Sequence, residues 1–224
     1  MKNAILMLSL LSLLCTGCDN CAYEFNYQPP KSMNDGLDVG VLKRVNIDTA
    51  TIAEAVNKLH CGKFGEVHSV LIYKDKLLVL EKYFQGHKFQ WDAPDYYGEL
   101  ITWNQDMLKL GVTYLNGGEW NGEKIISSEW VENSSRPYMN NKNINIPIED
   151  SGKNGYAYSW WTSEFSYSGN KIKMFRAGGW GGQSIMVFPD LDMVVVFTGG
   201  NYAAKSSLYE IIEQFVLPAI EYRS

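Results

Sequence analysis

Three runs rich in β-branched and apolar residues follow one another closely towards the C-terminal end, and their spacing allows only one kind of sheet. The runs are Lys171 to Arg176, Ser184 to Phe188 and Met193 to Thr198, with Pro189-Asp190-Leu191-Asp192 as a tight turn between the last two. Parallel neighbours need a crossover of a dozen or more residues, whereas antiparallel neighbours join through a few. Antiparallel hairpins are therefore predicted. Tyr156 to Thr162 adds a strand ahead of them, and Val67 to Tyr73 with Lys76 to Phe84, split by Lys74-Asp75, predicts an earlier hairpin.

Helical patterns bracket these strands. Thr51-Ile52-Ala53-Glu54 has the form of a capping box, with Ile52, Val56 and Leu59 on one face of the helix that follows and Gly62 to stop it. Thr102-Trp103-Asn104-Gln105 is a second box, ahead of Met107, Leu108, Leu110, Val112 and Leu115, and Asn116-Gly117-Gly118 ends that helix. Ser127-Ser128-Glu129-Trp130 opens a shorter one. The end, about Ala204 to Glu221, is amphipathic through Leu208, Ile211, Ile212, Phe215 and Val216. Gln85 to Tyr97 and Pro137 to Gly155 read as loop. The chain is expected to be α+β, an antiparallel sheet flanked by N- and C-terminal helices.

The first residues need a separate reading. Lys2 and the apolar run Ala4 to Leu14 are too short for a permanent bilayer span and have the form of a signal. The run ends in Cys15-Thr16-Gly17-Cys18, which resembles a bacterial lipobox, although an aliphatic residue is usual where Cys15 stands. Residues 1–17 are then removed and Cys18 carries the lipid, which puts the chain on a membrane of the bacterial envelope, facing the periplasm. The alternative is a plain secretory signal cleaved nearby. Residues 18–43, rich in Asn, Asp, Pro and Gly around Pro29-Pro30, read as tether and lead-in, and 44–224 as the folded domain. Cys21 falls in that tether, so it and Cys61 are expected as free thiols, although an oxidising compartment would permit a disulfide.

A net charge of −5 with no cluster of Lys and Arg argues against a nucleic-acid partner. His60, His68 and His87 have no metal-ligand spacing, and His60 reads as a helix-end residue. Neither metal nor cofactor is expected.

Several phrases, in order along most of the chain, resemble the serine β-lactamase and penicillin-binding-protein-like hydrolases. Val67 to Ile72 and Leu77 to Phe84 resemble that family's opening hairpin. Met107 to Gly111 and Tyr114 to Ser127 resemble its mid-chain helix and the following turn. Tyr156 to Trp161, then Gly178-Gly179-Trp180-Gly181-Gly182-Gln183, then Val194 to Gly199 resemble its closing sheet. The resemblance implies a β-lactamase/transpeptidase-like fold and hydrolysis of ester, amide or β-lactam bonds through an acyl-serine. That chemistry needs a Ser-x-x-Lys pair at a helix start, a Tyr-x-Asn or related relay group, and a third motif on a strand beside oxyanion donors. Here Gly86-His87 runs directly into Lys88-Phe89-Gln90-Trp91, which resembles sequence from beyond the nucleophile's helix. A segment on the order of 100 residues, the family's helical subdomain, is expected to be missing between about 87 and 88. Trp180 and the apolar residues of Gln85 to Trp91 should then be unusually exposed.

Substitutes for the missing groups are weak. Ser168-Gly169-Asn170-Lys171 is literally Ser-x-x-Lys, but Ser-Gly-Asn between strand patterns is a hairpin turn that would leave Lys171 solvated. Tyr114-Leu115-Asn116 ends a helix whose packing needs Tyr114 and Leu115, and Tyr138-Met139-Asn140 sits in a polar loop. No catalytic residue is assigned. The candidate site is Gly178, Gly179, Trp180, Gly181, Gly182 and Gln183. One reading makes it a remnant of the family's substrate cleft, where glycines let an acyl group approach the backbone; the other makes it a tight strand entry beside a packing aromatic. With neither Lys nor His it is a Trp-type variant of the third motif, and no Gly-Lys-Ser/Thr follows to make a phosphate loop. Besides the membrane, a small acyl, peptide or cell-wall ligand is the expected partner. A truncated product without function is the remaining reading.

Overall fold

A computed structural model of the chain describes residues 21–85, 99–137, 139–140, 155–202 and 207–221. Helix α1 (Thr49–His60) leads into β1 (Val67–Lys74) and β2 (Leu77–Tyr83). Helix α2 (Glu99–Leu115), a small hairpin of β3 (Glu119–Trp120) and β4 (Glu123–Lys124), and helix α3 (Ser128–Ser135) follow. Strands β5 (Met139–Asn140), β6 (Gly155–Ala157), β7 (Trp160–Tyr167), β8 (Asn170–Gly179), β9 (Gln183–Phe188) and β10 (Met193–Gly199) come next. Last is α4 (Leu208–Ile211), which continues as a π-helical turn over Ile212–Val216 into α5 (Leu217–Ala219).

Among the described residues eight of the ten strands form one sheet, ordered β2-β1-β10-β9-β8-β7-β6-β5, with antiparallel neighbours throughout, and β3 pairs with β4 apart from it. The short β9–β10 connection forces that geometry, as its spacing predicts. Strand β10 lies between β1 and β9, and its side chains alternate between two cores. Met193, Val195 and Phe197 pack with Ile52, Val56 and Leu59 of α1 and with Leu208, Ile211 and Phe215 of the terminal helices. Val194 and Val196 face the other way, onto Leu108 and Val112 of α2 and Val131 of α3. Truncating any one of the larger side chains here to alanine costs about 2–5 kcal/mol. The α+β architecture with flanking terminal helices is thus observed, and α2 and α3 cover the second face.

Helix α2 can lie this close because of Gly111. A β carbon there would come within 2.7 Å of Val194 and 2.8 Å of Ile185. A mid-helix glycine costs roughly 0.5–1 kcal/mol against alanine, and the close helix–sheet approach offsets it.

Several boundaries differ from expectation. Helix α1 starts before its Thr51 box, because Asp48 is the true cap: its carboxylate accepts from Thr51 N–H and from Thr51 Oγ1, each at 2.7 Å. Those bonds hold the Asp48 carboxyl below its ordinary range. Thr102 lies inside α2, which begins at Glu99. The strand expected over Tyr156 to Thr162 is broken by a turn at Tyr158 and Ser159, both at positive φ, into β6 and β7. No Gly or Asn marks that turn, so composition could not reveal it. Met139–Asn140, read as loop, pairs with β6. Most of the Gln85 to Tyr97 and Pro137 to Gly155 loops, the 87/88 junction and residues 1–20, with Cys18, lie outside the described residues.

The lead-in carries no long helix or strand, yet it is bound to the domain. Tyr23 stacks on His60 at 3.6 Å, Phe25 N–H donates to Asn57 Oδ1 at 2.7 Å, and Tyr27 OH donates to Val79 O at 2.8 Å. Val39 bridges Leu78 of β2, and Leu42 is fully buried. This packing carries Cys21 to the end of α1, where it forms a disulfide with Cys61 at a Cα–Cα distance of 5.7 Å. The expectation of two free thiols is therefore overturned. It assumed a free tether, whereas the aromatic residues that follow Cys21 have binding sites on the domain.

Candidate functional site

Gly178 and Gly179 finish β8, Trp180, Gly181 and Gly182 make the turn, and Gln183 opens β9. The six residues expected to form the site are thus one hairpin end. Each glycine has a local cause. A side chain at Gly178 would collide with the Arg176 guanidinium, and one at Gly179 would crowd Gln183. Gly181 and Gly182 have φ of +86° and +101°, a region that only glycine enters freely, and Tyr202 lies over Gly181. Gln183 Nε2 donates to Gly199 O at 2.9 Å, and Asn201 N–H donates to Gly181 O at 2.9 Å, which ties the hairpin to the end of β10. Trp180 is 68% exposed, so it is not the packing aromatic of the second reading.

Arg176, one residue before the glycines, cannot replace the lysine of a third-motif strand. It pairs with Met186, on the face covered by α1 and the terminal helices, and its Nε–H donates to Tyr209 OH at 2.8 Å. The guanidinium is buried away from the α2 face.

Ser168 and Gly169 form a two-residue turn between Tyr167 and Asn170, with φ of 49° and 77°. Lys171 points into solvent, its Nζ 2.7 Å from Glu164 Oε1. That hydrogen bond and the Glu164 charge raise its pKa, so the amine stays protonated at neutral pH and cannot take a proton from Ser168. One serine–lysine contact escaped the sequence reading. Lys124 Nζ donates to Ser128 Oγ at 3.0 Å, because the β3–β4 hairpin folds back onto the start of α3. Lys124 also bridges Glu119 at 3.0 Å, and the Ser128 proton goes to Gly117 O at 2.9 Å. The pair closes a turn, with Lys124 Nζ donating to Gly117 O as well, at 3.3 Å. Tyr114 is buried against Trp160 and Phe175, at ring distances of 4.5 and 6.2 Å, as its packing role requires. Tyr138 lies outside the described residues.

A polar group that sequence patterns could not assemble lies at the end of β2. Glu81 Oε1 accepts from Tyr83 OH at 2.6 Å and from Gln105 Nε2 at 3.0 Å. Burial above all, and then the Glu81 charge, push the Tyr83 phenol far above its ordinary value. Gln105 Oε1 and Asn104 Oδ1 are buried without a hydrogen-bond partner. Beside this group is a cavity of about 580 Å³, lined by Pro29, Pro30 and Met33 of the lead-in and by Lys82, Tyr83 and Gln105. Its walls come from segments far apart in sequence.

Among the described residues no cluster of His, Cys, Asp and Glu could hold a metal ion, and no helix is long and apolar enough to cross a membrane. No family model matches the chain, and no curated protein matches it. Among solved structures it is similar to a protein assigned as a 6-aminohexanoate-dimer hydrolase from Bacillus anthracis, at 23% identity and a TM-score of 0.36, over 51% of this chain and 27% of that one. The match thus spans about a quarter of that protein's length.

Proposed function

We propose that this chain is a bacterial envelope lipoprotein, anchored through lipid on Cys18 and facing the periplasm, that keeps the sheet of the β-lactamase-related serine hydrolases without their acyl-serine catalysis. The observation that carries the non-catalytic reading is Lys171, the one lysine in literal Ser-x-x-Lys spacing whose partner serine is described. It is held protonated on Glu164 in a solvent-exposed turn. A serine at its free pKa is a poor nucleophile without a nearby base. Oxyanion donors alone, worth about 10²–10³ in rate where a nucleophile acts, would have nothing to stabilise. The family phrases from Val67 to Gly199 support the ancestry, and Lys2, the apolar run and Cys18 support the anchor.

With a fluorescent penicillin the protein should give no burst and no labelled band. A band that disappears in Ser168→Ala or Ser128→Ala would make that serine a nucleophile and end the non-catalytic reading. Metabolic labelling with a fatty-acid analogue should be lost in Cys18→Ala, and label that persists would remove the anchor.

The cavity favours a second role, binding of a small peptide or cell-wall fragment. Its volume is in the range of small-molecule sites, and Glu81, Lys82 and Gln105 set a few polar groups beside the apolar Pro29, Pro30 and Met33 in its lining. Calorimetric titration with a muropeptide should show binding that weakens in Gln105→Leu, and equal heats for both proteins would dismiss this role.

A further inference from the structure

The end of the sheet that bears the Gly178–Gln183 hairpin is also where the chain is tied to its leader. Strands β8 and β10 end there, and β9 and β1 begin there. Glu66 N–H donates to Asn201 Oδ1 at 2.7 Å, Gly200 N–H to Glu66 O at 2.8 Å, and Asn201 N–H to Gly181 O at 2.9 Å. The segment just beyond Cys61 is therefore bonded, through residues 200–201, to the glycine hairpin. Cys61 in turn is bridged to Cys21.

Only Asp19 and Asn20 separate Cys21 from Cys18. Three peptide steps span at most about 11 Å. Adding the 5.7 Å between the bridged Cα atoms, residue 18 lies within about 17 Å of Cys61. An unbound lead-in of 18–43 would instead let the domain roam on the order of 85 Å from its anchor.

Two large aromatic side chains project at this pole. Trp180 is 68% exposed and Tyr202 is 57% exposed, and Tyr202 lies against Gly181, next in sequence to Trp180. Trp and Tyr combine an apolar ring with a polar tip and favour the lipid–water boundary. We infer that this pole rests on the lipid surface, with Trp180 and Tyr202 seated among the headgroups, and that the Cys21–Cys61 bridge holds it there on a three-residue leash. The inference rests on the reading of Cys18 as the lipidated residue. It sets the glycine hairpin at the membrane surface and the opposite end of the sheet towards the periplasm.

The test uses the full-length lipidated protein in phosphatidylethanolamine–phosphatidylglycerol vesicles whose acyl chains are brominated near the headgroup. Bromine should quench part of the tryptophan emission of the wild type, and that quenched part should be lost in Trp180→Phe. It should shrink in Cys61→Ser while all three proteins still float with the vesicles. Flotation with Trp180 emission indifferent to bromine overturns the docked pole and leaves the anchor standing. Wild-type protein that fails to float overturns both. Quenching in Cys61→Ser equal to wild type overturns the role given to the bridge. Trp180 belongs to neither core, so Trp180→Phe keeps the fold, and the main comparison survives even where Cys61→Ser does not fold.

Discussion

The phenols of Tyr73 and Tyr83 set how the protein responds to alkali. Burial first, and then the charges of Asp192 and Asp38, push Tyr73 up to about 12. Tyr83 is displaced in the same direction by burial and by Glu81. In the unfolded chain both ionise near pH 10. Above that pH the unfolded state releases protons that the folded state retains, so stability present below pH 10 is lost as pH rises towards and beyond about 12. Urea midpoints should fall between pH 8 and 11, and the fall should be smaller in Tyr83→Phe. A pH-independent midpoint would mean that these phenols are not buried as described. At this scale the sequence was partly legible. The Ser168-Gly169 turn could be read, because Gly and Ser in a two-residue loop have a known backbone preference. Trp180 is exposed, as expected. That Gly178 makes room for the Arg176 guanidinium could not be read, since it depends on which sheet face Arg176 takes.

Among the elements, the lead-in and α1 act as one unit through the Cys21–Cys61 bridge. A disulfide that closes a loop of this order stabilises by about 2–4 kcal/mol, mostly through the unfolded chain. Cys61→Ser should therefore lower the unfolding free energy by roughly that amount, and reduction of the wild type should do the same. Loss of less than a few tenths of a kcal/mol would mean that the packing of Tyr23, Phe25 and Tyr27 alone closes the loop. Element type was readable wherever period and turn chemistry agreed, as in β8 to β10 and at Ser127, whose side chain caps α3 through Trp130 N–H at 3.1 Å. It failed where a side chain overrode composition. Asp48 captured the start of α1, and the Tyr158-Ser159 turn split a strand without any glycine. The lead-in was misjudged because Asn, Asp, Pro and Gly conceal three aromatic anchors.

At the scale of the whole molecule, the antiparallel sheet flanked by N- and C-terminal helices was legible from strand spacing and flanking amphipathic runs, whereas the cover that α2 and α3 give its second face was not. The cavity and the Glu81–Tyr83–Gln105 group were not, since they assemble residues from the lead-in, β2 and α2. As proposed, the protein is a lipid-anchored sheet without a hydrolase's nucleophile. Intact mass after prolonged exposure to a fluorophosphonate tests that claim most directly, because a stoichiometric adduct requires one activated serine whatever the natural substrate. The mass should stay unchanged, the same as for protein denatured before exposure. A single adduct formed only by the folded protein, and mapped to one serine, would contradict it.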